Sequence, residues 1–195
     1  MSLIRRVEEY VRSLLSQEPV SAYPYHNLNH TMSVVSHAKE IGQHEDIDEL
    51  DFKTLLISAW FHDIGYTRDY KKHELKGAEI AREFLGSMNH RLVEKVESSI
   101  ISTRLPQSPA NHVEMILCDA DMFHLSEDGL IESSDKLRRE INMVLKREMS
   151  LTDYLQGTLK LLKSHQYFSA YARKTLEIKK VKNINIIREY LADKS

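Results

Sequence analysis

Two histidines and two carboxylates, far apart in the chain, offer the most specific chemistry in this sequence. His62 and Asp63 close an otherwise apolar stretch, Thr54-Leu-Leu-Ile-Ser-Ala-Trp-Phe61. At helical spacing Leu55, Ala59 and His62 share one row and Leu56, Trp60 and Asp63 the next, so imidazole and carboxylate prolong a buried face. A buried carboxylate is costly unless it is paired or bound to a cation, and the adjacent imidazole favours the cation. His30 falls on a second inward stripe with Val34, His37, Ala38 and Ile41, while Asp121 continues the row of Val113 and Leu117. Taken singly, His30 or Asp121 reads as a satisfied core side chain. Together with His62 and Asp63, however, they would cost several kcal/mol if left unpaired in one small core. One divalent cation held between three helices satisfies them all. Two imidazoles and two carboxylates suit manganese, iron, cobalt, nickel or zinc better than calcium, with magnesium an allowed alternative. An octahedral ion with four protein ligands keeps two positions for water and substrate.

The elements that must position these groups are predicted to be helices. Glycine (6) and proline (4) are scarce, and apolar residues recur at three and four rather than at two, which argues for an all-α fold. Helices are predicted over about 2–16, 29–42, a stretch through His62-Asp63 stopped at a left-handed Gly65, 72–85, 90–102 and 113–125, with three more within 134–193. The 113–125 segment is apolar on nearly every side and reads as a central helix. The acidic run Glu45–Asp51 reads as a solvated loop whose charges favour the next helix N-terminus. With 195 residues and no repeat or linker, a single domain is expected, its metal-binding core over about 25–125 and its C-terminal helices packed on that core.

Composition narrows the classes of partner. A net charge of −2 provides no global basic field, so nucleic acid is not an expected obligate partner. Cys118 is the one cysteine, which fits a reducing compartment. The charged opening Met1–Tyr10 lacks a signal-peptide core, and no run approaches the roughly 18 apolar residues that span a bilayer. A cytoplasmic protein without membrane contact is therefore expected, and its exposed helices could support a homodimer. No phosphate-binding P-loop or dinucleotide glycine turn is present.

The order His30, His62-Asp63, Asp121 resembles the HD-domain superfamily of metal-dependent phosphohydrolases. The segments Tyr25-His-Asn-Leu-Asn-His-Thr31, His62-Asp-Ile-Gly65, His73-Glu-Leu-Lys-Gly-Ala78, Ser102-Thr-Arg-Leu-Pro106 and Cys118-Asp-Ala-Asp-Met122 are similar to that family's, in the same order. The later stretch around His165-Gln-Tyr-Phe168 is similar to a subgroup of small, mostly uncharacterised members. The resemblance implies a helical bundle of the HD type, a metal site of His30, His62, Asp63 and Asp121, and hydrolysis of a phosphate ester or anhydride, often of a nucleotide. Asp119 and Asp121 point about 200° apart on a helix, so only one can face the ion; the resemblance favours Asp121. In two-metal relatives a histidine at the position of His73 binds a second ion with help from a histidine on the following helix. That helix here ends Ile101-Ser-Thr-Arg104, so one ion is expected and His73 is left to serve substrate phosphate or the attacking water.

The reaction expected is attack of metal-activated water on phosphorus, with Asp63 helping to accept the water's proton and Arg104 offering a bidentate guanidinium to the phosphate. His26, His73, Thr103, Arg104, His165, Tyr167, Arg173 and Lys174 are the candidate substrate contacts. Tyr66 and Tyr70, like Tyr167, could stack on a base, although helical aromatics more often pack. A cyclic-nucleotide phosphodiesterase, a two-iron oxygenase and a non-catalytic sensing module are the competing readings. With ordinary imidazole values, cation affinity is expected to weaken below about pH 6.5.

Overall fold

A computed structural model describes residues 1–86 and 88–194, and these contain helices and no strand. The helices are α1 (Leu3–Leu15), α2 (Leu28–His44), α3 (Glu49–Phe61), α4 (His73–Leu85), α5 (His90–Ser102), α6 (His112–Asp121), α7 (Leu130–Leu145), α8 (Leu151–Ser164) and α9 (Ala170–Ala192). The chain divides into two compact units, residues 1–121 and 122–195.

The first unit is arranged around α3. Every residue from Thr54 to Phe61 is buried, and α3 packs against α1, α2, α5 and α6. Its polar side chains stay inside because they bond back to the helix: Thr54 Oγ1 donates to Leu50 O at 2.8 Å and Ser58 Oγ to Thr54 O at 2.9 Å. The central helix is thus α3 rather than the 113–125 segment, where α6 ends at Asp121 and a 3₁₀ turn, Met122–Ser126, follows. Surrounding helices each bury one stripe, such as Val7, Val11 and Leu15 on α1 or Val34, Ala38 and Ile41 on α2. Each such side chain, fully buried, contributes about 1.5–3 kcal/mol.

Caps fix where the helices begin. Ser2, Asn27, Asp48 and Asn89 accept backbone N–H groups at the starts of α1, α2, α3 and α5. Glu49 and Asp51 place negative charge on the first turn of α3, the role expected of the acidic run.

In the second unit, α9 packs on α8 and on the 3₁₀ turn 122–126. Its buried polar side chains are matched to backbone carbonyls. Asn183 Nδ2 donates to Leu125 O at 2.9 Å and to Glu127 O at 2.8 Å, and Lys180 Nζ donates to His165 O at 2.5 Å. No described helix is long and apolar enough to cross a membrane.

Candidate metal centre

The helix carrying the His-Asp pair stops two residues sooner than its periodicity suggests. α3 ends at Phe61, His62 caps it in helical conformation, and Asp63 (φ −108°, ψ 2°) leads into a 3₁₀ turn over Ile64–Thr67. The last carbonyls of a helix lack intrahelical partners, and that of Ala59 takes the His62 ring: Nδ1 lies 2.8 Å from Ala59 O. A carbonyl only accepts, so Nδ1 carries the proton, and in the neutral ring Nε2 is a bare lone pair.

That lone pair meets three other groups. His62 Nε2 lies 3.4 Å from His30 Nε2 and 3.1 Å from Asp63 Oδ2. His30 Nε2 lies 3.2 Å from the same Asp63 oxygen. Asp121 Oδ1 is 3.6 Å from each imidazole nitrogen. His30 comes from the first turn of α2, and Asp121 is the last residue of α6. Donor atoms of His30, His62 and Asp121 all lie within 4.8 Å of one another, and Asp63 joins them through the two imidazoles. Ligands about 2.1 Å from one cation stand about 3.0 Å apart at right angles and about 3.4 Å apart in a tetrahedron. The spacings among His30, His62 and Asp63 fall in that range and those to Asp121 lie just beyond it, and Asp63 Oδ2 is buried without a hydrogen-bond partner. The donor set therefore fits a divalent metal ion.

Electrostatics point the same way. Burial pushes the His30 imidazole down, but Asp121 and Asp63 beside it outweigh burial and raise it to about 10. His62 moves up for the same reason, against burial, through Asp63 and Asp121. Burial would raise Asp63, yet the His62 and His30 rings hold it well below the usual carboxylate range. Asp121 is likewise lowered against burial by His30 and His62. The carboxylates demand positive charge between them, from protons on the imidazoles or from a cation.

A second group of side chains flanks Asp63. His73, first residue of α4, places Nε2 3.7 Å from Asp63 Oδ1 and 3.5 Å from Glu74 Oε1. Its ring stacks on Tyr66 with centroids 4.0 Å apart. His26 lies outside α2, just before the Asn27 cap, and stacks on Tyr66 at 4.3 Å. Glu74 is the residue that sequence reasoning missed here. Glu74 is buried on the row of Gly77, Ala78 and Ala81, a small-residue stripe from which it could have been noticed. Gly65 is not a left-handed cap as expected. Glycine is needed because a Cβ there would lie 1.8 Å from His73 O and 2.5 Å from Gly77 N, so the turn presses against α4.

The remaining candidates make none of the contacts described above. Thr103 is buried and donates its hydroxyl to Ile100 O at 2.8 Å. Arg104 is exposed and lines a groove of about 580 Å³ with Ser98, Ile101, Leu105, Pro106 and Glu114, none of which belongs to the cluster. His165, Tyr167, Arg173 and Lys174 lie in the second unit. The Tyr167 hydroxyl is engaged there, 2.6 Å from Ser126 Oγ and 3.2 Å from Met122 O, so it serves that unit's core. The His165 ring packs edge-on against Tyr167, and burial, with Lys180 nearby, pushes it down to about 4. Arg173 and Lys174 are exposed on α9.

Comparison with solved structures finds the same fold in a predicted HD superfamily hydrolase from an uncultured Thermotogales bacterium, with TM-score 0.61 and 22% identity over 98% of this chain and 92% of that one. Comparison with curated proteins finds no match. The family model of the HD domain matches residues 27–126, just over half the chain, and that span includes every member of the cluster from His30 to Asp121. Sequence order and spatial convergence thus agree with the family match, and the chain belongs to the HD-domain family.

Proposed function

We propose that the protein is a metal-dependent phosphohydrolase that cleaves a phosphate ester or anhydride of a small metabolite, a nucleotide above all. The observation that carries this reading is the meeting of His30, His62 and Asp121, whose donor atoms all lie within 4.8 Å of one another, with Asp63 Oδ2 3.2 Å and 3.1 Å from the two imidazole nitrogens. The name of the related hydrolase supports the same class of reaction.

In this reading His30, His62, Asp63 and Asp121 hold one cation, of manganese, iron, cobalt, nickel or zinc. A divalent cation in such a site acidifies water toward neutrality and offsets charge on a phosphoryl group. The residues do the rest. The Ala59 carbonyl keeps the His62 proton on Nδ1 and so keeps Nε2 free to bind. Asp63 divides its oxygens, Oδ2 toward His30 and His62 and Oδ1 toward His73. That arrangement lets Oδ1 accept a proton from attacking water while His73 donates to a phosphate oxygen. The rings of Tyr23, Tyr66, Tyr70 and His26 cluster beside them, with Tyr66 and Tyr70 centroids 5.0 Å apart and Tyr23 edge-on to both. The Tyr70 ring, outside the stack of His26, Tyr66 and His73, suits a flat base.

The test is phosphate release across nucleotides and simple phosphate esters, with manganese, cobalt, nickel, magnesium and zinc in parallel and His62→Ala as control. Turnover that requires the cation and vanishes in the control is expected. Ligand binding without turnover under every cation would instead identify a sensing module and overturn the proposal.

A further inference from the structure

An imidazole that acts beside a cation needs a fixed orientation, and the usual anchor is a hydrogen bond on the nitrogen turned away from its target. His62 has that anchor in Ala59 O. His73 lacks it. Its Nδ1 is buried with no hydrogen-bond partner in the protein. Its Nε2 stands 3.5 Å from Glu74 Oε1 and 3.7 Å from Asp63 Oδ1, longer than an ordinary hydrogen bond.

What fixes the plane of His73 is Tyr66. The two rings are parallel to within 10°, with centroids 4.0 Å apart. The same phenol stacks on His26 at 4.3 Å and 26°. The two imidazole centroids are 6.5 Å apart, which places the phenol between them. Tyr66 is itself held firmly. It is 7% exposed and sits on the 3₁₀ turn directly after Asp63. Gly65 lets that turn touch the backbone of His73. The turn therefore delivers the carboxylate of Asp63 and the ring that orients His73 within four residues of chain.

We propose that Tyr66 is a positioning residue, setting the ring plane of His73 beside Asp63 by stacking where His62 relies on a hydrogen bond. The proposal rests on the reading that chemistry takes place at Asp63. Its essential part is the aromatic face of Tyr66, not the hydroxyl, so Tyr66→Phe should preserve the effect and Tyr66→Leu should remove it.

The experiment uses the zinc-loaded full chain, with NMR of the His73 ring and turnover of a phosphate ester measured on the same samples. Stacking predicts His73 ring-proton signals upfield of an unstacked imidazole in the parent and in Tyr66→Phe, and the loss of that displacement in Tyr66→Leu. Zinc content should be the same in all three. Turnover number should fall about tenfold or more in Tyr66→Leu with KM unchanged, and most of it should remain in Tyr66→Phe. Unstacked His73 signals in the parent, or parental turnover in Tyr66→Leu, would overturn the proposal, as would loss of zinc in step with turnover. A parent that hydrolyses nothing refutes the phosphohydrolase reading, while the ring signals still decide whether Tyr66 orients His73. Should Tyr66→Leu not fold, Tyr66→Met takes its place under the same criteria.

Discussion

Buried polar side chains are used in two opposite ways in this chain. In the second unit Asn183 ends on Leu125 O and Glu127 O, Lys180 on His165 O and Ser126 on Leu176 O. In the first, His30, His62, Asp63 and Asp121 turn their donor atoms toward one another. Paired polar groups of the first kind hold a fold together, because a buried donor without an acceptor costs about 1–3 kcal/mol. A convergence of lone pairs holds little together until something positive occupies its centre. The difference separates structural from functional burial more clearly than burial itself, since His62 and Lys180 are 0% and 1% exposed respectively.

The largest effect that could break this contrast is loss of the cation. His62→Ala and Asp63→Ala should each reduce transition metal from about one per chain to none by elemental analysis. Full occupancy in both variants would remove the basis for calling the cluster a metal centre.

Next in size is the dependence on pH. In the cation-free protein the raised His30 contributes stability that is complete below the ordinary imidazole value of about 6.5 and is lost as pH climbs through about 10. Cation binding must displace imidazole protons, so affinity should grow as pH rises, by about tenfold per pH unit for each proton displaced. Melting curves from pH 6 to 9 with and without zinc should therefore diverge, the free protein weakening as the zinc increment grows. A zinc increment constant over that range would contradict the assignment. The carboxylates move this dependence upward from the value near 6.5 that ordinary imidazoles would give.

Smaller effects should sharpen the contrast from the other side. Asn183→Ala abandons the carbonyls of Leu125 and Glu127 and should cost about 1–3 kcal/mol in denaturant titration while leaving zinc content intact. Metal loss in that variant would blur the distinction between the two kinds of burial. Smallest is Ser169→Ala, which removes the hydroxyl oxygen that accepts the Ala172 N–H at the start of α9 and should cost about 1 kcal/mol. A change in zinc affinity there would be equally unexpected.

Much of this was readable in the chain itself. Ionisable residues on apolar helical rows announced His30, His62 and Asp63. The helix bounds followed from periodicity and punctuation to within a few residues, α5 over His90–Ser102 among them. The less legible features depend on neighbours distant in sequence. Periodicity continued α3 through Asp63, whereas the chain turns at His62 so that both side chains can face α2 and α6. Tyr66 looked like helical packing because its partners, His26 and His73, belong to separate segments. Tyr167 looked available for a base, and only its proximity to Ser126 and Met122 O shows its hydroxyl to be occupied. Propensity and spacing describe one segment at a time, and these roles arise between segments.

The contact at Gly65 bears on how this pocket could be redesigned. With His73 O lying where even a methyl group would need to go, the gap between turn and helix behaves as a fixed ruler that no larger residue can occupy without prying the two apart. Any reshaping of the pocket is then channelled away from the backbone and into exchangeable side chains such as the rings at positions 26 and 70. An engineer would do well to randomise those two and leave residues 65 and 66 untouched.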